Sequence, residues 1–132
     1  NNLIKRSLKK IILENKKNIK ILEKIIHPRV RMRMKKFTFA NKGQKLLFYE
    51  IPLLIESKLM NYFNLIIFVK SKKKIRLKRF ILKKGNKKLF ALLDKHQLND
   101  SKKIKFCDYV VVNDKNIKIL KKNLLAIIKK YE

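Results

Sequence analysis

Three short apolar runs limit what this chain can fold into more than any other feature of its sequence. They occupy residues 46–51, 65–69 and 109–112 and are rich in β-branched and aromatic residues. Because apolar residues follow one another almost without interruption, each run predicts a strand that is buried on both faces, as in a parallel sheet. Helical patterns separate the runs, which is the order of elements in α/β folds. The sequence therefore predicts three parallel strands flanked by helices.

Helical periodicity organises the first part of the chain. Apolar residues recur at helical spacing over residues 2–13, and a second helical pattern begins near Asn18. Proline suits the first turn of a helix and disfavours helix in the residue before it. Pro28 therefore predicts a boundary at His27 and the start of a third helix. We expect that helix to end at Gly43, which can adopt the left-handed conformation of a C-terminal cap.

Further helical patterns lie before and after the last apolar run. The lysine-rich residues 71–106 have helical periodicity, and Gly85-Asn86 predicts a turn that divides them into two helices. A final helix is expected after Asn113-Asp114, where either residue can act as the N-terminal cap. The sequence contains no internal repeat.

The net charge of the chain is extreme, at +28 for 132 residues. Such a charge is typical of proteins that bind nucleic acids. However, lysine supplies 31 of the 37 basic residues, and lysine, isoleucine and asparagine together fill 61 of the 132 positions. All three are encoded by A/T-rich codons, so a biased genome would produce this composition on any fold. We favour codon bias as the cause, and a basic nucleic-acid-binding protein is the alternative.

Composition excludes several classes of protein. The hydrophobic fraction of 46% is sufficient for a core, and no stretch approaches the ~20 apolar residues of a membrane-spanning helix. The single cysteine, Cys107, excludes an intrachain disulfide and a multi-cysteine zinc site. The two histidines, His27 and His96, are too isolated in sequence to suggest a metal site. We therefore expect a soluble, cytoplasmic protein.

The segment from Glu50 to Glu56 is the first candidate functional site. It places a carboxylate at the carboxyl end of a predicted strand, and Pro52 then ends that strand. In open α/β sheets, ligands bind beyond such strand ends. A carboxylate there can orient Mg²⁺-bound water or a substrate hydroxyl. The alternative is a surface turn with two solvated acids.

Arg76 and Arg79 form the second candidate site. They lie three residues apart, on one turn of a predicted helix, in a region that otherwise uses lysine. Arginine presents a planar pair of N–H groups to phosphate, which lysine cannot do. A solvated helical surface is the alternative interpretation. His27 at a helix boundary and Asn113 before a helix are further candidates, for which purely structural roles are the alternative.

These segments resemble dephospho-coenzyme A kinases. The resemblance extends over about residues 15–131 and depends on the order and spacing of several short motifs. These are His27-Pro28, Ile51-Pro52-Leu53-Leu54-Ile55-Glu56, the apolar run 65–69, Arg76-Leu77, Gln97 and Cys107-Asp108-Tyr109-Val110-Val111-Val112-Asn113. No single motif is very specific, whereas their order and spacing together are.

The resemblance implies a P-loop kinase with a parallel sheet and a helical lid. Members of the dephospho-coenzyme A kinase family transfer the γ-phosphoryl group of ATP to the ribose 3′-hydroxyl of dephospho-coenzyme A, with Mg²⁺, in the last step of coenzyme A synthesis. The partners would be ATP and dephospho-coenzyme A, with no specific nucleic acid and no membrane. The implied organisation is a helical acceptor-side region over about 1–44, core strands over about 45–70 and 107–132, and a lid over about 71–106.

The resemblance also implies roles for the candidate residues. Arg76 or Arg79 would be the lid arginine that contacts the ATP phosphates, and Asn113 would lie in the loop near adenine. Three residues would flank the acceptor pocket and a fourth would lie near it: Glu50, Pro52, Glu56 and His27.

Two parts of the family's site have no counterpart among these residues. They are the phosphate-binding motif Gly-x-x-x-x-Gly-Lys-Ser/Thr and the early acidic residue that the family uses as a base. We expect both to belong to a segment that precedes Asn1. On this interpretation the fold is incomplete at its N-terminus, no metal ligand lies in these residues, and the 132 residues alone are inactive.

Overall fold

The computed structural model describes residues 2–15 and 17–132, and the contacts between residues divide the chain into two compact units, Asn1–Leu47 and Phe48–Glu132. The first unit contains helices α1 (Asn2–Glu14) and α2 (Lys17–Ala40), which contact each other. The Nδ2 atom of Asn18 donates to a carbonyl near the end of α1 at 2.9 Å and so ties the two helices together. The amphipathic helix predicted at the start of the chain is confirmed.

The predicted boundary at His27 and Pro28 is wrong, because α2 continues through Pro28 as one helix. Proline has no N–H, so the carbonyl of Lys24, four residues earlier, loses its helical partner. Lys24 and Pro28 are both exposed, and water can therefore bond to that carbonyl. The cost of proline is confined to one solvated turn, which is why the helical pattern on either side of it prevails.

The end of α2 also differs from its prediction. No glycine of the described chain has a positive φ, so Gly43 is not a left-handed cap. Asn41 ends the helix instead. Its main-chain N–H and its Nδ2 atom both donate to the carbonyl of Phe37, at 3.1 and 2.8 Å. An asparagine side chain thus performs the capping that the sequence analysis assigned to glycine.

The second unit is built on a parallel pair of strands, β1 (Ile67–Lys70) and β2 (Tyr109–Val112). Ile67 lies opposite Tyr109 and Lys70 opposite Val112. Two of the three predicted strands and their parallel pairing are confirmed, and with them the α/β class. The segment that joins the strands contains the predicted helices, so the connection is a helical crossover of the kind that parallel pairing requires.

The strand predicted over residues 46–51 is absent from the structure. A strand forms only where a neighbouring strand accepts and donates its main-chain hydrogen bonds. The sheet of the described chain contains β1 and β2 alone, and neither pairs with this segment. One of its aromatic residues is explained by side-chain packing, because the rings of Tyr49 and Phe63 meet edge to face with their centroids 5.4 Å apart.

Four helices flank the strands of the second unit: α3 (Lys73–Leu82), α4 (Lys87–His96), α5 (Asp100–Ile104) and α6 (Ile117–Ile128). A short 3₁₀ turn, Met60–Tyr62, precedes β1. Helix α5 contacts β1, α6 contacts β2, and α3 contacts α4. The buried apolar residues of the unit come from a turn segment, from helices and from β2, and are Ile55, Leu59, Leu89, Phe90, Val111 and Ile127. No described helix of either unit combines the length and apolar content needed to cross a bilayer.

Asparagines cap three of these four helices. Asn86, Asn99 and Asn116 precede α4, α5 and α6, and each side chain accepts a hydrogen bond from the main-chain N–H three residues later, at 2.8 to 3.0 Å. Neither Asn113 nor Asp114 caps α6, which corrects that prediction. Asn113 bonds instead to Lys70 at the end of β1, and Asp114 bonds to Lys72 in the loop that follows.

The turn between α3 and α4 lies where Gly85-Asn86 predicted it. Lys84 has a φ of 62°, and the N–H groups of Lys84 and Gly85 donate to the carbonyls of Ile81 and Phe80, at 2.9 and 3.0 Å. This arrangement ends α3 in a Schellman motif with Lys84, not the glycine, in the left-handed position. Gly85 is needed for space. A Cβ atom at that position would lie 2.7 Å from the Phe80 carbonyl oxygen and would overlap the Phe80 ring.

Replacing Gly85 by Ala is therefore expected to destabilise the protein by about 1–3 kcal/mol, since the Phe80 ring and main chain must both move. The matched control is Gly43→Ala, where an added Cβ meets no atom within 4 Å. Urea unfolding monitored by circular dichroism measures both variants. Equal stability of the two variants would contradict the close packing at Gly85.

Candidate functional site

The carboxyl ends of β1 and β2 meet at one edge of the sheet, because the strands are parallel. Ser71 and Lys72 follow β1, and Asn113 and Asp114 follow β2. The N–H of Asn113 donates to the Lys70 carbonyl at 2.7 Å, and the N–H of Lys72 donates to Oδ1 of Asp114 at 2.8 Å. These bonds join the two loops. The edge they form is the one at which open α/β sheets bind their ligands.

Asp114 is held as a carboxylate at this edge. The main-chain hydrogen bond from Lys72 lowers its pKa most, and the charges of Lys72 and Arg79 lower it further, against a smaller opposing effect of burial. Arg79 reaches the same edge from α3, where its Nη1 atom donates to the carbonyl of Asn113 at 2.9 Å. Two predicted site residues, Arg79 and Asn113, are thus in direct contact.

Arg76 lies one turn earlier on α3 and faces a different partner. Its Nη1 atom lies 2.8 Å from Oδ1 of Asp94, and its Nε donates to the Ser71 carbonyl at 3.2 Å. The other oxygen of Asp94 lies 2.9 Å from the ammonium of Lys73. Asp94 therefore ties α4 to the start of α3, and it holds the Arg76 guanidinium next to the loop after β1.

Asp94 is a functional contact that the sequence analysis missed. Burial would raise its pKa, but the hydrogen bond from Lys73 and the charges of Arg76 and Lys73 together outweigh burial and lower it. The only sequence signal for Asp94 was the scarcity of acidic residues, because the chain has nine acids against 37 bases. In a chain so short of carboxylates, an acid within a lysine-rich helix indicates a paired residue.

A pocket of about 540 Å³ opens beside β1 in the second unit. Five consecutive residues, 65–69, line one side of it. Successive side chains of a strand point to opposite faces, so a continuous lining of this kind belongs to a strand edge and not to a sheet face. Glu50, Pro52 and Arg76 also line the pocket, so three predicted site residues are brought together.

Glu56 does not line the pocket but binds a residue that does. Its Oε1 accepts a hydrogen bond from the N–H of Leu98 at 2.9 Å and lies 3.1 Å from the ammonium of Lys103. Lys103 is 7% exposed and also donates to Oε1 of Gln97 at 3.0 Å. Sequence reasoning missed Lys103, since nothing in the sequence distinguishes this buried lysine from the other 30.

His27 lies on α2, in the first unit, and is half-buried. The described residues contain no group of three or more His, Cys, Asp or Glu side chains arranged to hold a metal ion. Any Mg²⁺ that accompanies a nucleotide here would need its ligands from the nucleotide, from water or from single carboxylates, which is the usual mode of Mg²⁺ binding.

These features define an α/β protein with a helical crossover and a polar carboxyl edge. The crystal structure of TT1252 from Thermus thermophilus has the same fold, with a TM-score of 0.71, 24% sequence identity, and coverage of 97% of this chain and 67% of that one. The family model for dephospho-CoA kinase matches residues 1–118. The chain therefore belongs to the dephospho-CoA kinase family.

Individual relatives agree with the family match. The chain is 33% identical to a dephospho-CoA kinase of Fusobacterium nucleatum over 124 residues, which cover 93% of this chain and 64% of the relative. It is 30% identical to that of Bartonella henselae over 128 residues, covering 95% and 66%. The chain thus spans slightly less than two thirds of the length of these relatives.

The lowered pKa of Asp94 predicts a pH dependence of stability. A carboxylate with a depressed folded-state pKa stabilises the fold above the ordinary Asp pKa of ~3.9, and this contribution is lost as the pH falls through the folded-state value. Asp94→Asn should therefore cost about 2 kcal/mol at neutral pH, between the values of exposed and buried pairs, and much less at pH 2.

The measurement is urea unfolding of wild type and variant across this pH range. Asp100→Asn is the control, since Asp100 forms no ion pair within the described part of the chain. If the free energy of unfolding of Asp94→Asn stayed below that of wild type by the same amount down to pH 2, the role of the ionised carboxylate would be contradicted.

Proposed function

We propose that the protein containing this chain transfers the γ-phosphoryl group of ATP to the 3′-hydroxyl of dephospho-coenzyme A. The observation that carries the proposal is the family match over residues 1–118. The structure supports it, since Glu50, Pro52 and Arg76 line one pocket while Arg79 and Asn113 meet at the carboxyl edge. Phosphoryl transfer depends mainly on positioning and charge stabilisation, which is what such an arrangement can supply.

In this proposal, residues 71–106 act as a lid that brings arginine to the ATP phosphates. Arg76 is the better placed of the two arginines because it lines the pocket, and Asp94 and the Ser71 carbonyl fix its guanidinium. Arg79 is bound to the carbonyl of Asn113 and would link the lid to the loop near adenine. A fixed guanidinium needs little reorganisation when charge develops on the transferred group.

The acceptor side is assigned to residues 1–44 and to the wall that Glu50 and Pro52 form. Glu56 supports that wall from behind, and His27 is proposed to lie near the acceptor. Mg²⁺, if it acts, would be held mainly by the phosphates and water, since the described residues provide no ligand cluster. The proposed site of action is the cytoplasm, where thiols such as that of Cys107 stay reduced.

We do not propose the nucleic-acid-binding alternative. The lysines are spread along the whole chain, and the matched relatives are kinases. The positive field of the chain would attract ATP and dephospho-coenzyme A as well as nucleic acid, because both substrates are polyanions too.

The test is to express the whole reading frame that encodes this chain and to assay coenzyme A formation from ATP and dephospho-coenzyme A by mass spectrometry. We expect turnover with dephospho-coenzyme A and none with its 3′-deoxy analogue. Residues 1–132 alone should not catalyse transfer, because they contain no Gly-x-x-x-x-Gly-Lys-Ser/Thr motif to wrap the phosphates. A whole-frame protein that binds both substrates without turnover would refute the proposal.

Replacing Arg76 by Ala in that protein should lower kcat by about 10²-fold, the usual effect of removing one preorganised charge from a transferring group. Lys78→Ala, on the exposed face of the same helix, is the control. Asp94→Asn separates the loss of the charge from the loss of stability, since it breaks the same ion pair but retains the Arg76 side chain. If Arg76→Ala and Arg79→Ala both keep near wild-type kcat, neither arginine has the lid role.

A further inference from the structure

Two polar or charged residues of the described chain are buried, Ser71 and Lys103, and both line the pocket beside β1. Burial of an ammonium is costly unless it is paired and hydrogen-bonded. Its neighbour Lys102, also on α5, is exposed as lysines usually are. Burying this particular lysine at the pocket therefore costs the folded state free energy.

One carboxylate oxygen organises the contacts of Lys103. Oε1 of Glu56 lies 3.1 Å from the Lys103 ammonium and accepts from the N–H of Leu98 at 2.9 Å, while Lys103 donates to Gln97 at 3.0 Å. The ammonium also lies 5.8 Å from the centre of the Phe68 ring, which lines the pocket. Three separate segments thus meet at this ion pair: the turn that carries Glu56, the link between α4 and α5, and α5 itself.

The turn that carries Glu56 directly follows the pocket wall. Ser57 donates to the Leu53 carbonyl through both its N–H and its hydroxyl, at 2.9 and 2.6 Å, and the turn closes with the N–H of Leu59 bound to the Leu54 carbonyl at 3.1 Å. These bonds make the turn compact. A displacement of Glu56 would therefore also displace Leu54, which lines the pocket two residues after Pro52.

Stability alone does not explain the ion pair. Breaking a buried pair is costly because one charge is left alone, yet replacing both partners by uncharged groups of similar volume is often neutral or stabilising. What uncharged groups would not provide is a fixed relation between the three segments, since hydrophobic contacts have no preferred direction. The directional contacts of Glu56 and Lys103 supply that relation.

We propose that Lys103 is a positioning residue that acts through Glu56. It fixes the wall formed by Glu50 and Pro52 against the far end of the 71–106 segment, so that the acceptor lies in register with the lid. This inference rests on the proposed function for its consequence in catalysis. The contact itself is testable without activity.

The kinetic test uses Lys103→Met, Glu56→Gln and the double variant in the whole-frame protein, with Lys102→Met as the matched control on α5. Lys103→Met should lower kcat/KM for dephospho-coenzyme A by about 10²-fold, the scale of a 1 Å misplacement, and leave the KM for ATP unchanged. It should also lower the melting temperature. Lys102→Met should leave both unchanged.

The double variant separates positioning from stability. It leaves no unpaired buried charge, so its melting temperature should return towards that of wild type while kcat/KM for the acceptor stays low. Recovery of kcat/KM together with the melting temperature would overturn the positioning role, and so would an equal loss in Lys102→Met.

Amide hydrogen exchange provides a readout independent of catalysis. In Lys103→Met, exchange should rise in peptides covering residues 50–58 as well as 97–104, because both are joined through Glu56. A rise confined to 97–104 would show that Lys103 does not hold the wall and would overturn the proposal. A wild-type protein without kinase activity would refute the proposed function alone, since the exchange result stands apart from it.

Discussion

The scarcity of carboxylates governs how the second unit is held together. The chain has nine acids against 37 bases, and two of the nine bracket a single strand, β1. Asp108 accepts from the N–H of Ile66 at 2.7 Å just before β1, and Asp114 accepts from the N–H of Lys72 at 2.8 Å just after it. Hydrogen bonds from main-chain N–H groups to a carboxylate are stronger than those between neutral groups. They fix both ends of a strand that is only four residues long.

Two further acids hold the parts of the helical segment in place. Asp94 joins α3 to α4 through Lys73 and Arg76, and Glu56 holds the link between α4 and α5 through Leu98 and Lys103. In a chain of net charge +28, mutual repulsion of cations opposes compaction, and each internal carboxylate relieves it locally. The same contacts that stabilise this unit therefore also determine where the cations of the proposed site lie.

Most of the fold followed from local patterns, and two of the errors arose where the surroundings of a segment decided the outcome. The runs at 65–69 and 109–112 form strands because they pair with each other. Residues 46–51 were also predicted as a strand but have no partner strand among the described residues. Pro28 was expected to end a helix on local grounds, but its solvent exposure makes the lost hydrogen bond tolerable. A sequence states what a segment prefers, and tertiary neighbours decide whether the preference is met.

The residues of the candidate site likewise divide into those that the sequence pointed to and those that it did not. Its distinctive residues, such as Pro52 and the arginines, stood out against the lysine background, whereas Lys103 did not, because only burial distinguishes it. The arginines are equivalent in sequence, yet Arg76 is bound to Asp94 within the helical segment and Arg79 to the Asn113 carbonyl beyond β2. One turn of α3 thus separates a side chain paired with α4 from one bound to the sheet edge. A displacement of α4 from α3 would break the ion pair of Arg76 with Asp94 but leave the bond from Arg79 to Asn113 intact, so the position of the Arg76 guanidinium depends on the packing of these two helices and that of Arg79 does not.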